Sequence, residues 1–301
     1  MEMNRNNVIM IAVVVLAIAA GVYWYMSSGT QEPIQIQQKG SDTLLILAQR
    51  WAESYVEDNN NVDIVVSGGG SGTGISALIN KQIDIADASR QIKQQELDDA
   101  EEAGVDPVEW KVAVDGISII VNLDNPLTEM SYSQLKGIYV GTVKNWNEIG
   151  GTDGTIVAYG RQSTSGTYGY FQEEVLDDED YRSDKNQMSG NADITEAVIN
   201  DPNGIGYVGV AYAEARMDDL KILNIKREDT GTAYQPTSGN IASGDYPISR
   251  YLYVYTDGAP EGAISDYLRF ILSPEGQEIT EDVGYIPLPE SVMSAQLSEL
   301  G

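Results

Sequence analysis

Small hydroxyl residues and glycines recur in three short segments: Gly40-Ser-Asp-Thr43, Ser67-Gly-Gly-Gly-Ser-Gly-Thr-Gly74 and Gly160-Arg-Gln-Ser-Thr-Ser-Gly-Thr167. The last two lie about ninety residues apart, and each runs directly into an apolar, helix-like stretch. A helix N-terminus presents N–H groups without intrahelical acceptors, and hydroxyls beside it add further donors. Three such termini aimed at one point, with Arg161 in the third, can hold a tetrahedral oxyanion without a metal.

Competing readings of these segments are weaker. A flexible Gly/Ser linker would not lie between the β-branched strand Val62–Val66 and an apolar helix. A phosphate-binding P-loop ends in Gly-Lys-Ser/Thr, whereas the corresponding residues here are Thr73-Gly74-Ile75, with no lysine. The dinucleotide register G-x-G-x-x-G also fails, because its third glycine falls on Thr73 or Ile75. Arg161 reads either as a surface ion-pair residue in an acidic protein or as a guanidinium forked onto the anion, and its place four residues before Ser165-Gly166-Thr167 favours the second.

Composition removes whole classes of chemistry. The 301 residues include no cysteine and no histidine, which excludes thiolate catalysis, Ser-His-Asp triads and His- or Cys-ligated metals. No Ser-x-x-Lys lies near the glycine loops, so a hydrolase has little to work with. The expectation is a binding protein rather than an enzyme, with no cofactor and no metal. A net charge of −28, spread along the whole length, is wrong for a row of nucleic-acid phosphates. It reads as a solvated acidic surface, from adaptation to high salt or from generic solubility.

The elements that must position these loops alternate. After a strand over Ile34–Gln38, apolar residues at Leu44, Leu47, Ala48, Trp51, Ala52 and Tyr55 predict a helix over Thr43–Glu57, with Asp42 or Thr43 as its cap. Strand Val62–Val66, helix Ile75–Asn80 and strand Ile83–Ala86 complete a βαβαβ order, which implies a mostly parallel, doubly wound α/β sheet with its ligand at the strands' carboxyl ends. A β-rich stretch broken at Asp115-Gly116 leads to a second α/β set, and Tyr246–Tyr255 reads as the return crossing, followed by helices Ala263–Leu272 and Pro274–Val283. Two crossings predict two lobes around a hinge and a central cleft: residues 34–115 plus 248–301 as the first lobe, 116–247 as the second.

Residues 1–33 stand apart as a signal or anchor segment with its linker. Val8–Met26 is a run of 19 uncharged residues, long enough at about 1.5 Å per residue to cross a hydrocarbon core of about 30 Å. It reads as a membrane anchor through residues 8–26, or as a signal peptide cleaved after Ala17-Ile-Ala19, and both readings put the rest outside the cytoplasm, at the cell surface or in a periplasm.

Lys39-Gly-Ser-Asp-Thr43, the loop Ser67–Ile75, Asp84-Ile-Ala-Asp-Ala-Ser-Arg90, Val114-Asp-Gly-Ile117, Arg161 with Ser165-Gly-Thr167, Gly204-Ile-Gly-Tyr-Val-Gly209 and Leu272-Ser-Pro-Glu-Gly276 follow one another in an order that resembles the periplasmic phosphate-binding proteins of the PstS type. The resemblance runs from about residue 34 to 290 and implies a type II periplasmic-binding fold, capture of inorganic phosphate and delivery to the membrane subunits of an ABC permease. It implies a ligand set of Ser41, Asp42, Thr43, Ser71, Gly72, Ser89, Arg161, Ser165, Gly166 and Thr167, and a monomer that binds no nucleic acid. Many members carry an aspartate where this chain has Ser89. Either Asp42 or Asp87 then accepts the proton of phosphate, or Asp42 is a helix cap and no more. Such an acceptor would separate phosphate from fully deprotonated sulfate. The alternatives are a binding protein for sulfate, molybdate or tungstate, or a phosphate-sensing surface module.

Overall fold

The computed structural model describes residues 33–300, so the apolar run at residues 8–26 lies outside the described residues. No helix among the described residues is long and apolar enough to cross a membrane.

The first α/β set comprises β1 (Ile34–Gly40), α1 (Leu45–Asp58), β2 (Val62–Ser67), α2 (Ser71–Ile79), β3 (Ile85–Ala88) and α3 (Gln94–Ala103). The long β4 (Pro107–Asn122) leads to β5 (Glu129–Ser131), α4 (Tyr132–Val140), β6 (Val157–Arg161), α5 (Gly166–Leu176), β7 (Asn186–Met188), α6 (Asn191–Ile199), β8 (Gly204–Gly209) and α7 (Val210–Glu214). Two short strands, β9 (Leu220–Ile222) and β10 (Asn224–Lys226), and α8 (Ser238–Ser243) precede the returning β11 (Ser249–Asp257). Three helices follow, α9 (Gly262–Ile271), α10 (Pro274–Asp282) and α11 (Glu290–Glu299).

The main sheet runs in the order β2-β1-β3-β11-β4-β8-β6-β7, with β9 also paired to β4. Parallel pairs form between β1 and β3, β6 and β8, and β6 and β7, the last through a short strand that the sequence did not signal. The sheet is nevertheless mixed, because β11 is antiparallel to both β3 and β4, and β4 is antiparallel to β8. A chain that leaves one α/β set and returns to it must cross in both directions, which puts two opposed strands in the middle. β4 pairs with β11 through Gly116 and then with β8 from Ile117.

From Gln35 onward the chain forms one compact unit, within which the apolar side chains gather on either side of that change of partner. Leu47, Trp51 and Tyr55 of α1 join Tyr267 and Leu268 of α9 in one cluster. Tyr139, Phe171, Val175 and Tyr207 anchor another under α4 and α5. The helical stripe of α1 is buried as its spacing predicts, at Leu47, Ala48, Trp51, Ala52 and Tyr55. Its cap is not as expected: the helix starts behind Leu44 without a side-chain cap, since Asp42 and Thr43 are engaged elsewhere. β3 begins two residues later than its apolar run suggests and ends at Ala88, so Ser89 stands directly beyond it. α10 does open on Pro274, behind a Ser273 hydroxyl that accepts from the Gly276 N–H at 3.2 Å.

Candidate functional site

Chain order puts the carboxyl ends of β1, β3 and β6 and the starts of α2 and α5 in one place. Beyond β1, the Ser41 N–H donates to the Asp87 carbonyl (2.9 Å), and Ser41 Oγ accepts from the Thr43 N–H (3.2 Å). This tight turn aims the Thr43 hydroxyl at α5, where Thr43 Oγ1 and Thr167 Oγ1 lie 2.9 Å apart. Both threonines are fully buried. Ser71, the first residue of α2, accepts the Ser89 N–H at 3.0 Å, and the two hydroxyls are 3.3 Å apart. Gly166 packs on this pair so closely that a Cβ there would stand 2.3 Å from Ser71 Oγ and 2.6 Å from Ser89 Oγ.

Arg161 ends β6 and is 1% exposed. Its main chain is held on both sides: its N–H donates to the Tyr207 hydroxyl (3.1 Å) and its carbonyl accepts from Lys185 Nζ (2.8 Å). Burial pulls the Lys185 ammonium down to about 8. The guanidinium donates through Nη2 to Asp42 Oδ2 and to the Ser189 carbonyl (2.9 Å). Its Nε and Nη1 are buried with no hydrogen-bond partner. Buried donors are ordinarily paired, so two open N–H vectors on a cation are the mark of a place for an acceptor.

The ten residues drawn from the sequence thus fall on loops that meet, though not all offer free groups. The Gly72 N–H donates to the Thr164 carbonyl (3.0 Å), and Ser165 Oγ caps α5 by accepting from the Tyr168 N–H (3.3 Å). The N–H groups of Gly166 and Thr167 open α5 and have no intrahelical acceptors. Asp42 is not a cap: Oδ1 accepts from the Gly69 N–H (2.8 Å), its carbonyl accepts from the Tyr212 hydroxyl (2.9 Å), and Oδ2 meets Arg161. Asp87 does not reach in. Its side chain shares the Ile85 face of β3, where Oδ1 accepts from Gln38 Nε2 at 2.7 Å and Oδ2 has no partner. Burial pushes this carboxyl up to about 7, against the opposing pull of Gln38.

Sequence reasoning missed a second cation. Arg250 of β11 sits opposite Asp115 of β4 in the strand register and donates to Asp115 Oδ2 through Nε (3.3 Å) and Nη2 (3.0 Å). Nη2 also donates to Thr167 Oγ1 at 2.9 Å. Burial raises the Asp115 carboxyl, and Arg250 pulls it back. The signal lay in the sequence, where one arginine interrupts Ile248-Ser-Arg-Tyr-Leu-Tyr-Val-Tyr255 and one aspartate interrupts the apolar run of β4.

Two α/β sets bridged by opposed strands, with oxyanion-type loops meeting between them, define a periplasmic-binding-type protein, and a family model described as the PBP superfamily domain matches residues 27–275. The chain is 35% identical over 279 residues to the phosphate-binding protein PstS of Pseudomonas aeruginosa, covering 87% of this chain and 85% of that one. It is also 35% identical over 268 residues to PstS of Staphylococcus epidermidis, covering 87% and 81%. The chain belongs to the PstS family of phosphate-binding proteins. Among solved structures, it is similar to a Clostridium perfringens protein crystallised with bound phosphate, at 28% identity and a TM-score of 0.76 over 85% of this chain and all of that one. An ABC-type phosphate transport receptor from Vibrio cholerae matches at 26% identity and a TM-score of 0.68, over 84% of this chain and 100% of that one. The type II periplasmic-binding fold implied by the motifs is the fold observed.

Proposed function

We propose that this protein binds inorganic phosphate where the loops after β1, β3 and β6 meet the starts of α2 and α5, and passes it to an ABC permease from outside the cytoplasm. The observation that carries the reading is Arg161: 1% exposed, fixed through its main chain, with Nε and Nη1 buried and unpaired, and tied through Asp42 to the loop that also carries Thr43. The hydroxyls satisfy one another in pairs, and a tetrahedral anion would take over each pair with a stronger, charge-assisted acceptor. Backbone N–H groups of Asp42, Ser71, Gly166 and Thr167 would complete the shell, and the remote acidic surface is screened beyond about 8–10 Å in physiological salt. The names of the relatives from Pseudomonas and Staphylococcus and of the Vibrio receptor support phosphate and ABC transport.

The division into lobes 34–115 plus 248–301 and 116–247 follows the change of partner along β4, and residues 8–26 would tether the first lobe to the membrane. Calorimetry on the full-length chain in mild detergent, with phosphate, arsenate, sulfate and molybdate, tests the assignment. Phosphate and arsenate should bind at least a hundredfold more tightly than sulfate. Preference for sulfate or molybdate would make it a receptor for that anion instead. Small-angle scattering should show a smaller particle with phosphate than without it.

A further inference from the structure

The Asp115–Arg250 pair stands where β4 changes partners. Arg250 faces Asp115 in the β4–β11 register, and Gly116 is the last β4 residue paired to β11 before Ile117 takes up β8. The pair is buried, with side chains 0% and 3% exposed, and Asp115 Oδ1 also accepts from the Val210 N–H at 3.3 Å, which ties it to the end of β8. One guanidinium therefore touches the crossing strands and, through Nη2, the Thr167 hydroxyl at the start of α5. Its Cζ lies over the Tyr170 ring, 5.2 Å from the centroid, a contact that helps hold it in place.

The chemistry of this contact has a direction. Arginine has donors and no acceptor, so Thr167 Oγ1 must accept from Arg250. The single Thr167 O–H is then left for another partner. The group in line is Thr43 Oγ1, 2.9 Å away on the loop after β1. A hydroxyl that accepts from a guanidinium is also polarised into a better donor. The series Arg250, Thr167, Thr43 accordingly runs from the crossing strands into the meeting point of the loops, with its protons pointing inward.

We infer that Arg250 is a positioning residue of the oxyanion site: it fixes the Thr167 hydroxyl as a donor to the bound anion and makes that donor's position depend on the relative setting of β4 and β11. This rests on the phosphate-binding reading and adds a residue none of the oxyanion loops contains. Rotation of one α/β set against the other about β4 and β11 moves Arg250 relative to α5. The hydroxyl is then aimed correctly in one setting of the strands only, which couples anion affinity to closure.

The test is a double-substitution cycle read by calorimetry with inorganic phosphate on the full-length chain. Arg250→Lys keeps the charge but cannot serve Asp115 and Thr167 with the same planar fork. It should weaken phosphate about tenfold, as should Thr167→Val, and the combined variant should lose about tenfold rather than a hundredfold, because both remove the same aimed hydroxyl. Independent, multiplying losses, or an Arg250→Lys affinity within twofold of the parent, would overturn the inference. If Arg250→Lys does not fold, the charge-neutral pair Asp115→Asn with Arg250→Gln replaces it, with the same tenfold loss expected and parent-like affinity as the refuting result. A parent chain that takes up no phosphate sinks the functional reading and this inference with it. A binding parent indifferent to Arg250 sinks the inference alone.

Discussion

Asp42 and Arg161, 119 residues apart in the chain, meet through Oδ2 and Nη2, while the other Asp42 oxygen holds the Gly69 N–H of the glycine-rich loop. The aspartate thus takes the two kinds of contact an oxyanion would take, a guanidinium and a loop amide. It joins the loop after β1 to the end of β6, and its carboxylate stays an acceptor among donors.

Arg161→Ala removes a buried cation whose Nε and Nη1 have no partner at this meeting point. Phosphate should bind more weakly by about 1.5–3 kcal/mol, roughly tenfold to a hundredfold, in a protein with an unchanged far-UV spectrum. Calorimetry decides it, and affinity within twofold of the parent would reduce Arg161 to an ion-pair residue.

Gly70 has φ +96, and a Cβ there would stand 2.6 Å from the Thr164 carbonyl oxygen. Gly70→Ala should therefore be strained twice, by the positive φ and by the close approach to the α5 loop, and should cost about 1–3 kcal/mol in stability. Gly72 meets the same oxygen only at ordinary contact distance, 3.4 Å, so Gly72→Ala should be much milder. Paired denaturant titrations would settle the comparison, and equal losses would show that the contact with Thr164 gives way easily.

Asp87 is a buried carboxyl with one hydrogen bond, from Gln38, and its folded value near 7 lies well above the ordinary 3.8. Between these values the folded protein holds a proton that the unfolded chain has released, so the Asp87 contribution to stability should be fully present below about pH 4, be lost as pH rises to about 7, and level off above. Asp87→Asn keeps the shape and cannot ionise. It should flatten this slope and stabilise the protein at pH 8 by something on the order of 2 kcal/mol. Melting curves of both proteins from pH 4 to 8 would show it, and parallel slopes would mean that Asp87 is ionised throughout.

The helices and strands next to the site were legible because their signals are local. The α1 stripe, the Pro274 start and the glycine-rich turn each follow from a few adjacent residues. The meeting of the loops follows from short segments too, since each lies directly after a strand or before a helix. The mixed sheet was not legible, because strand direction is set by which segments return to a neighbour, and β11 comes back from 127 residues beyond β4. The partnership of Asp115 with Arg250 escaped for the same reason: each reads alone as a lone charge in an apolar strand, and only the register joins them. Asp87 misled because it lies inside β3, where its side chain is held on the Ile85 face by Gln38, whereas Ser89 stands beyond the strand's end and meets Ser71. α3 and α11 gave no clear stripe to read, being polar and peripheral.

The proposed site leaves Asp42 as the carboxylate that would separate phosphate from sulfate, since Asp87 lies in the core and Ser89 supplies only a hydroxyl. Phosphate near neutral pH carries at least one proton and sulfate carries none, so an acceptor at the site satisfies the first and opposes the second. Asp42→Asn preserves the size of the side chain and an acceptor for the Gly69 N–H. It replaces a pure acceptor with a group that also donates, and it loosens the pairing with Arg161. Phosphate should weaken somewhat through the lost acceptor, while sulfate should gain because the repulsion is gone and Arg161 is freed to meet it. The phosphate-to-sulfate ratio, measured at one pH and one salt concentration, should fall by about tenfold or more, matching the ~1–3 kcal/mol of an unmet buried pair. A change in loop order alone would weaken both anions alike and leave that ratio where it was. An unchanged ratio in the Asn variant would therefore assign Asp42 to holding the loops together and leave discrimination to the hydroxyls.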